Sequence, residues 1–175
     1  MKNLIIATIV LTVFLLSSCN SSQKPDQAIT SENNQILEFK DHGPNPFVFD
    51  IEEYTIKNEN YRISLWTGKF MQMTLMSLKK GEEIGLELHD DIDQFIRIES
   101  GKGKLLIGDS EDNLTEIEVE DDFGIMIPAG KWHNLINISD QPLKLYSIYS
   151  PVEHPFGTIH KTEKEGKEAH AHHHH

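Results

Sequence analysis

The sequence predicts an all-β domain, closed into a barrel or folded as a two-sheet sandwich. Between residues 36 and 162, many short apolar or alternating runs are separated by Gly, Asp, Asn and Pro, and no run keeps a helical period for long. A stretch of about 125 residues is typical of one domain with one hydrophobic core. Because no internal repeat is visible, we expect a single β-domain.

Residues 1–18 have the pattern of a signal peptide. Lys2 precedes an apolar run at residues 4–16, which is too short to span a bilayer comfortably. The stretch Leu16-Ser17-Ser18-Cys19 resembles the lipobox of bacterial lipoproteins, in which the cysteine is acylated. An ordinary secretory signal is the alternative. We expect export to the bacterial cell envelope and attachment to a membrane by a lipid on Cys19. Because Cys19 is the only cysteine, the chain cannot form an intramolecular disulfide.

The segments on either side of the domain differ from it in composition. Residues 19–35 are polar without apolar periodicity, which predicts a flexible tether. Residues 163–175 form a charged, histidine-rich tail, and its end at residues 170–175 is either a native metal-capturing segment or a truncated purification tag. The formal net charge is −12. Nucleic acid is therefore not an expected partner, because phosphate binding needs a basic face.

Candidate strands fill the domain, and the residues between them form turns at low energetic cost. Their ranges are 61–67, 70–78, 84–88, 95–99, 103–107, 114–119, 124–127, 133–136 and 143–149. Hairpin connections between such strands favour an antiparallel barrel, which has no exposed strand edges and can enclose a ligand.

Four polar side chains from three places in the chain can come close together. Glu87 and His89 are two residues apart on a candidate strand, so their side chains point to the same face. Gln94 follows a polar bend that contains three aspartates, and His133 follows the tight turn at residues 128–130. Two imidazoles, a carboxylate and an amide can then converge.

The first part of this constellation resembles motif one of the cupin superfamily. That motif is glycine, five residues, His-x-His, a few residues, Glu, six residues and glycine. In this chain Gly81 lies five residues before Glu87, which stands in the place of the first histidine, and His89 is the second. Gln94 occupies the glutamate position, and Gly101 follows at the expected spacing.

The second part resembles cupin motif two, which is glycine, five residues, Pro-x-Gly, two residues, His, three residues and Asn. Pro128, Gly130, His133 and Asn137 are all in register, whereas Asp122 replaces the leading glycine. The two motifs occur in the expected order, and the resemblance covers residues 71–149.

The resemblance implies a single cupin barrel, also called a double-stranded β-helix or jelly roll. It also implies that Glu87, His89, Gln94 and His133 hold one divalent metal ion, for which Fe, Mn, Zn, Ni and Co are candidates. Two histidines and one carboxylate suit Fe(II). The alternative is a barrel that has lost its metal, in which Glu87 and Gln94 are ordinary polar residues of a pocket.

The resemblance to cupins described as sugar-isomerase-like implies an exported enzyme that acts on a small sugar-like or hydroxy-carbonyl molecule. An Fe-dependent dioxygenase is a second enzymatic interpretation, and a non-catalytic lipoprotein that binds a metal or small ligand is the alternative. His154 follows the last candidate strand in a segment that we expect near the barrel mouth, and it is the candidate general acid or base. The sequence leaves open whether the protein forms a homodimer.

Overall fold

A computed structural model describes residues 36–173, which form two antiparallel β-sheets and two helices. The predicted signal peptide, the tether and the lipidation site at Cys19 lie outside the described residues. Neither helix in the described part has the length and apolar composition needed to span a bilayer.

One helix precedes the nine strands of this region and one helix follows them. In chain order they are α1 (Ile51–Lys57), β1 (Arg62–Thr67), β2 (Gln72–Leu78), β3 (Asp93–Ser100), β4 (Lys102–Ser110), β5 (Asn113–Glu120), β6 (Gly124–Ile127), β7 (Trp132–Asn137), β8 (Leu143–Ser150), β9 (Ile159–His160) and α2 (Glu163–His173). One sheet has the order β6-β3-β8-β2-β1-β9 and the other the order β5-β4-β7. The predicted all-β jelly-roll fold is confirmed.

The segment that carries Glu87 does not form the continuous strand expected at residues 84–88. It makes isolated antiparallel bridges, from Glu83 to Ile136 and from Glu87 to His133. Gly85 lies between the bridges with φ = 99°, a left-handed conformation that interrupts strand alternation. The expectation of a regular strand was wrong, and a bridge to β7 positions Glu87 instead.

Helix α2 falls in the segment expected to be a charged tail. Lys167 pairs with Glu83 at 3.2 Å and with Glu163 at 3.1 Å. Gly166 lies against Tyr61 so closely that a Cβ at this position would be 2.5 Å from the aromatic ring. The helix therefore packs on the barrel through one small residue and one bridging lysine.

The interior of the barrel changes from apolar to polar along neighbouring strands. On β8, Leu143 and Leu145 belong to the main hydrophobic core, whereas Ser147 and Tyr149 follow on the same face. The partners of these four residues on β2 are Leu78, Met76, Thr74 and Gln72, which repeat the change. On β3, Ile98 and Ile96 are followed by Gln94. These polar residues form one end of the barrel interior, the polar chamber, which adjoins the closed apolar core.

A second hydrophobic cluster covers the opposite face of β1 and β2. Ile63, Leu65 and Leu75 pack there against Tyr54 of α1 and several aromatic residues from the segment that precedes it. Both faces of these strands are therefore buried, which holds the wall of the polar chamber rigid.

Candidate metal centre

Three chain segments bring the four predicted metal ligands together. Gln94 lies on β3 opposite Tyr149, and His133 lies on β7. Reciprocal backbone hydrogen bonds of 3.0 Å join Glu87 to His133, and the amide of Gly130 donates to the carbonyl of His89 at 2.7 Å. The two motif segments are therefore held together by their backbones.

The donor atoms of these side chains converge at short distances. Glu87 Oε1 lies 3.4 Å from His89 Nε2 and 3.3 Å from His133 Nε2. Gln94 Oε1 is 2.8 Å from His133 Nε2. The donor atoms of Glu87, His89 and His133 all lie within 4.8 Å of one another, and all three side chains are buried. The structure thus brings all four predicted ligands into one cluster.

Two donor atoms of the cluster have unmet bonding capacity. Glu87 Oε1 and His89 Nε2 are buried and have no hydrogen-bond partner within residues 36–173. Ligands about 2.1 Å from one ion lie roughly 3.0–3.4 Å apart at octahedral or tetrahedral angles. The distances from Glu87 Oε1 to His89 Nε2 and to His133 Nε2 match these values, so the residues present fit a divalent cation.

Contacts behind the cluster direct lone pairs into it. His133 Nδ1 lies 3.0 Å from the carbonyl of Lys131, to which it donates, so its Nε2 carries the free lone pair. The amide of Gln94 donates to Ser147 Oγ at 3.4 Å, which turns its oxygen towards His133. Glu153 Oε2 lies 3.7 Å from His89 Nδ1, the position of a carboxylate that orients a metal-binding histidine.

Electrostatics keep Glu87 ionised. Burial raises the pKa of this carboxyl, but contacts with His133 and His89 and the charge of Arg62 outweigh burial and hold the pKa far below its usual range. For His89, burial lowers the pKa, and the contact with Glu87 together with the charge of Glu153 raises it above its usual value. The cluster therefore contains one fixed negative charge.

His154, the candidate acid or base, lies outside the cluster in the segment after β8. Its ring meets Tyr149 edge-on at 5.2 Å, and the Tyr149 ring is 6.1 Å from that of His89. Burial, followed by the charge of Arg62, lowers the pKa of His154 to about 2. The imidazole is therefore neutral near pH 7 and is better suited to donate a hydrogen bond than to act as a general acid. A catalytic role of His154 stays a prediction.

Sequence reasoning missed Arg62, which points into the barrel from the start of β1. Only 4% of its surface is exposed, and its charge reaches Glu87. The alternation of Arg62 and Ser64 with Ile63 and Leu65 was a visible signal. That pattern places the polar residues on one face, but it does not distinguish a solvent-exposed face from the interior of a polar chamber.

Comparisons with known proteins agree with this architecture. The cupin domain family model matches residues 74–149. YrkC of Bacillus subtilis is 53% identical over 135 residues, which cover 77% of this chain and 73% of YrkC. L612 of Acanthamoeba polyphaga mimivirus is 46% identical over 114 residues, 65% of this chain and 70% of L612. The crystal structure of BH2720 from Bacillus halodurans is 52% identical with a TM-score of 0.73, and the match covers 74% of this chain and 98% of BH2720.

Proposed function

This chain belongs to the cupin superfamily, and from that premise we propose that it is an exported, metal-binding enzyme acting on a small sugar-like or hydroxy-carbonyl molecule. The observation that carries the proposal is a pair of buried atoms, Glu87 Oε1 and His89 Nε2, that have no hydrogen-bond partner among residues 36–173; Glu87 Oε1 also lies 3.3 Å from His133 Nε2. A buried carboxylate beside two imidazole lone pairs is costly unless a cation compensates it.

Glu87, His89 and His133 would hold the metal, with Gln94 as a weaker neutral ligand. A bound divalent metal supplies Lewis acidity, which polarises a carbonyl and an adjacent hydroxyl of a substrate. Glu153 and the carbonyl of Lys131 would hold the two imidazoles in the orientation that metal binding needs.

The polar chamber suits an oxygen-rich molecule. Thr74 and Ser147 supply hydroxyl groups to its interior face, and Tyr149 lies beside His89. Burial raises the pKa of Tyr149 to about 12, so the phenol stays protonated near pH 7 and can donate a hydrogen bond. These residues favour binding of hydroxyl and carbonyl groups over a purely apolar ligand.

An Fe-dependent dioxygenase is the second candidate function. The observation that favours it is the set of ligands itself, because two histidines and one carboxylate in one cluster are the arrangement that non-haem Fe(II) oxygenases use. The isomerase-like and oxygenase functions differ in their need for O₂, which makes them separable by experiment.

The test uses purified protein loaded separately with Fe, Mn, Zn, Ni or Co and incubated with a panel of aldoses, ketoses and hydroxy-carbonyl compounds, with and without O₂. An isomerase gives a product of unchanged mass without O₂, whereas a dioxygenase consumes O₂ only with Fe. Both activities should disappear in His133→Ala and persist in His42→Ala, since His42 stacks on Phe47 away from the cluster. A co-purified ligand with no turnover across the panel would favour the non-catalytic binding protein.

We also propose that the domain is held at the cell envelope by a lipid on Cys19. This proposal rests on the apolar run at residues 4–16 and on the lipobox-like sequence that follows. Membrane attachment would keep a small barrel next to molecules that cross the envelope.

A further inference from the structure

A cavity of about 300 Å³ lies beside the metal-ligand cluster. Its polar lining includes Arg62, Glu153, His154 and His160, and α2 forms another side. Glu153 connects it to the cluster, because its carboxylate is 3.7 Å from His89 Nδ1. A second cavity of about 140 Å³ is lined by both Arg62 and Glu87. Arg62 therefore borders both the larger cavity and the space next to a metal ligand.

Arg62 is a buried cation that no carboxylate contacts directly in the part of the chain that the structure describes, although the charges of Glu87 and Glu153 act on it from a greater distance. Its side chain makes no ion pair there, and its Nε and Nη2 atoms are buried without a hydrogen bond. The ring of Tyr61, 5.7 Å from the guanidinium carbon, is its one aromatic contact within that region. Buried polar groups are normally hydrogen-bonded, so two N–H groups of a guanidinium that lack an acceptor indicate a binding site, and an anionic acceptor suits the charge of Arg62.

The identity of the two unpartnered atoms narrows the kind of anion. The N–H bonds of Nε and Nη2 run side by side on one edge of the guanidinium and match the spacing of two carboxylate oxygens. A planar, bidentate partner is therefore the best fit to the free edge of Arg62.

Two histidines add further donors on the same cavity. His154 Nε2 and His160 Nδ1 are also buried without hydrogen bonds inside residues 36–173. His160 lies on β9 directly opposite Arg62 in the strand register. Burial and the charge of Arg62 lower the pKa of both imidazoles, so each is neutral near pH 7 and offers one N–H.

We propose that this cavity binds the carboxylate group of a small organic acid, with Arg62 Nε and Nη2 each donating to one carboxylate oxygen. This inference names a small organic acid as the substrate class of the proposed function. It rests on that function in one respect: the part of the acid beyond its carboxylate would reach the metal ligands. A monoanion fits better than a phosphate dianion, because Glu153 carries a negative charge in the same cavity. Lys167, on the second cavity, is already paired with Glu83 and Glu163.

The test is an NMR titration of the metal-free full chain with three probes: glycolate, the uncharged amide glycolamide, and inorganic phosphate. We expect glycolate to bind, glycolamide to bind at least tenfold more weakly, and phosphate to bind more weakly than glycolate. Arg62→Met, which keeps the length and removes the charge, should weaken glycolate binding at least tenfold. Arg62→Lys keeps the charge but loses the paired N–H donors, so it should weaken glycolate binding severalfold. This second variant keeps the test decisive if Arg62→Met does not fold.

Arg97→Met is the matched control, because Arg97 pairs with Glu99 and Asp122 outside the barrel. It should bind glycolate like the wild type. The inference is overturned if no probe binds, if phosphate binds more tightly than glycolate, or if Arg62→Lys binds glycolate as the wild type does. The titration uses metal-free protein, so its result does not depend on whether the chain binds a metal. Conversely, a variant that no longer binds glycolate can still bind metal, and the two proposals therefore fail separately.

Discussion

Glu87 carries the only negative charge among the four side chains that converge in the barrel. The usual cupin set that the resemblance implies has three histidines and one glutamate, and here the carboxylate stands in the first position while Gln94 occupies the third. The formal charge of the ligand set is the same in both arrangements. Glu87 and Gln94 should therefore contribute very differently to metal affinity.

The first prediction concerns these two ligands. Glu87→Gln keeps the shape of the side chain and removes its charge, so we expect metal affinity to fall at least tenfold. Gln94→Ala should have a smaller effect, because water can replace a weak amide oxygen. A competition titration with a chromophoric chelator measures both, with the exposed Glu118→Gln as the control. An effect of Gln94→Ala equal to or larger than that of Glu87→Gln would refute this assignment.

The second prediction concerns pH and His154. Burial and the charge of Arg62 lower the pKa of His154 from 6.5 to about 2, so the unfolded chain binds a proton more readily than the folded one below pH 6.5. The free energy of unfolding should therefore decrease as the pH falls from 6.5 towards 4. His154→Asn removes this titration while Arg62, Glu153 and His160 remain, so urea denaturation at several pH values should show a shallower loss. If the free energy of unfolding decreased with falling pH by the same amount in the wild type and in His154→Asn, this prediction would be wrong.

At the scale of elements, Gln72 on β2 holds the segment after β8 against the barrel. Its side-chain oxygen accepts from the backbone amide of His154 and its amide donates to the carbonyl of His154, both at 2.8 Å. The same amide lies within hydrogen-bond distance of Thr67 and Ser64. One buried side chain thus positions the residues that border the proposed substrate cavity.

The third prediction follows from this network. Gln72→Ala leaves two backbone groups of His154 without partners, so we expect the free energy of unfolding to fall by about 2–4 kcal/mol. The exposed Gln141→Ala should change it by less than about 0.5 kcal/mol. Urea denaturation measures both variants. If Gln72→Ala were as stable as the control, Gln72 would not be the residue that anchors this segment.

The success of sequence reasoning also depended on the element. Alternation and turn residues predicted β1 to β8, because most of these strands bury one or both faces in a regular way, whereas the two-residue β9 was not predicted. Alternation failed at residues 84–88, where Gly85 adopts a left-handed conformation. It also missed α1, which has only seven residues, and α2, whose contacts with Glu83 and Tyr61 come from distant parts of the chain.

The clustering of the four candidate ligands was predictable, because the motif spacing places them whether or not residues 84–88 form a regular strand, and the structure brings all four side chains together. Arg62 was not predictable in the same way. Its role depends on which face of β1 lines the chamber, and that is decided by how the sheets close rather than by the local sequence.

At the scale of the whole molecule, the chain combines a proposed lipid anchor with a barrel whose polar chamber contains the candidate metal centre. The fourth prediction tests the anchor. Radiolabelled palmitate should be incorporated into the wild-type protein and into Ser18→Ala, because a small residue before the cysteine is retained. Cys19→Ala should lose both the label and membrane attachment. Equal labelling of Cys19→Ala and the wild type would exclude lipidation at this residue.

Metal stoichiometry is the direct test of whether Glu87, His89 and His133 bind a metal ion. The background should carry alanine at residues 172–175, which removes the competing histidines and retains the rest of α2. After growth with Fe, Mn, Zn, Ni and Co, elemental analysis should find about one metal ion per chain, and His133→Ala in the same background should contain almost none. A metal-free parent protein, or a His133→Ala variant that keeps its metal in full, would contradict the account.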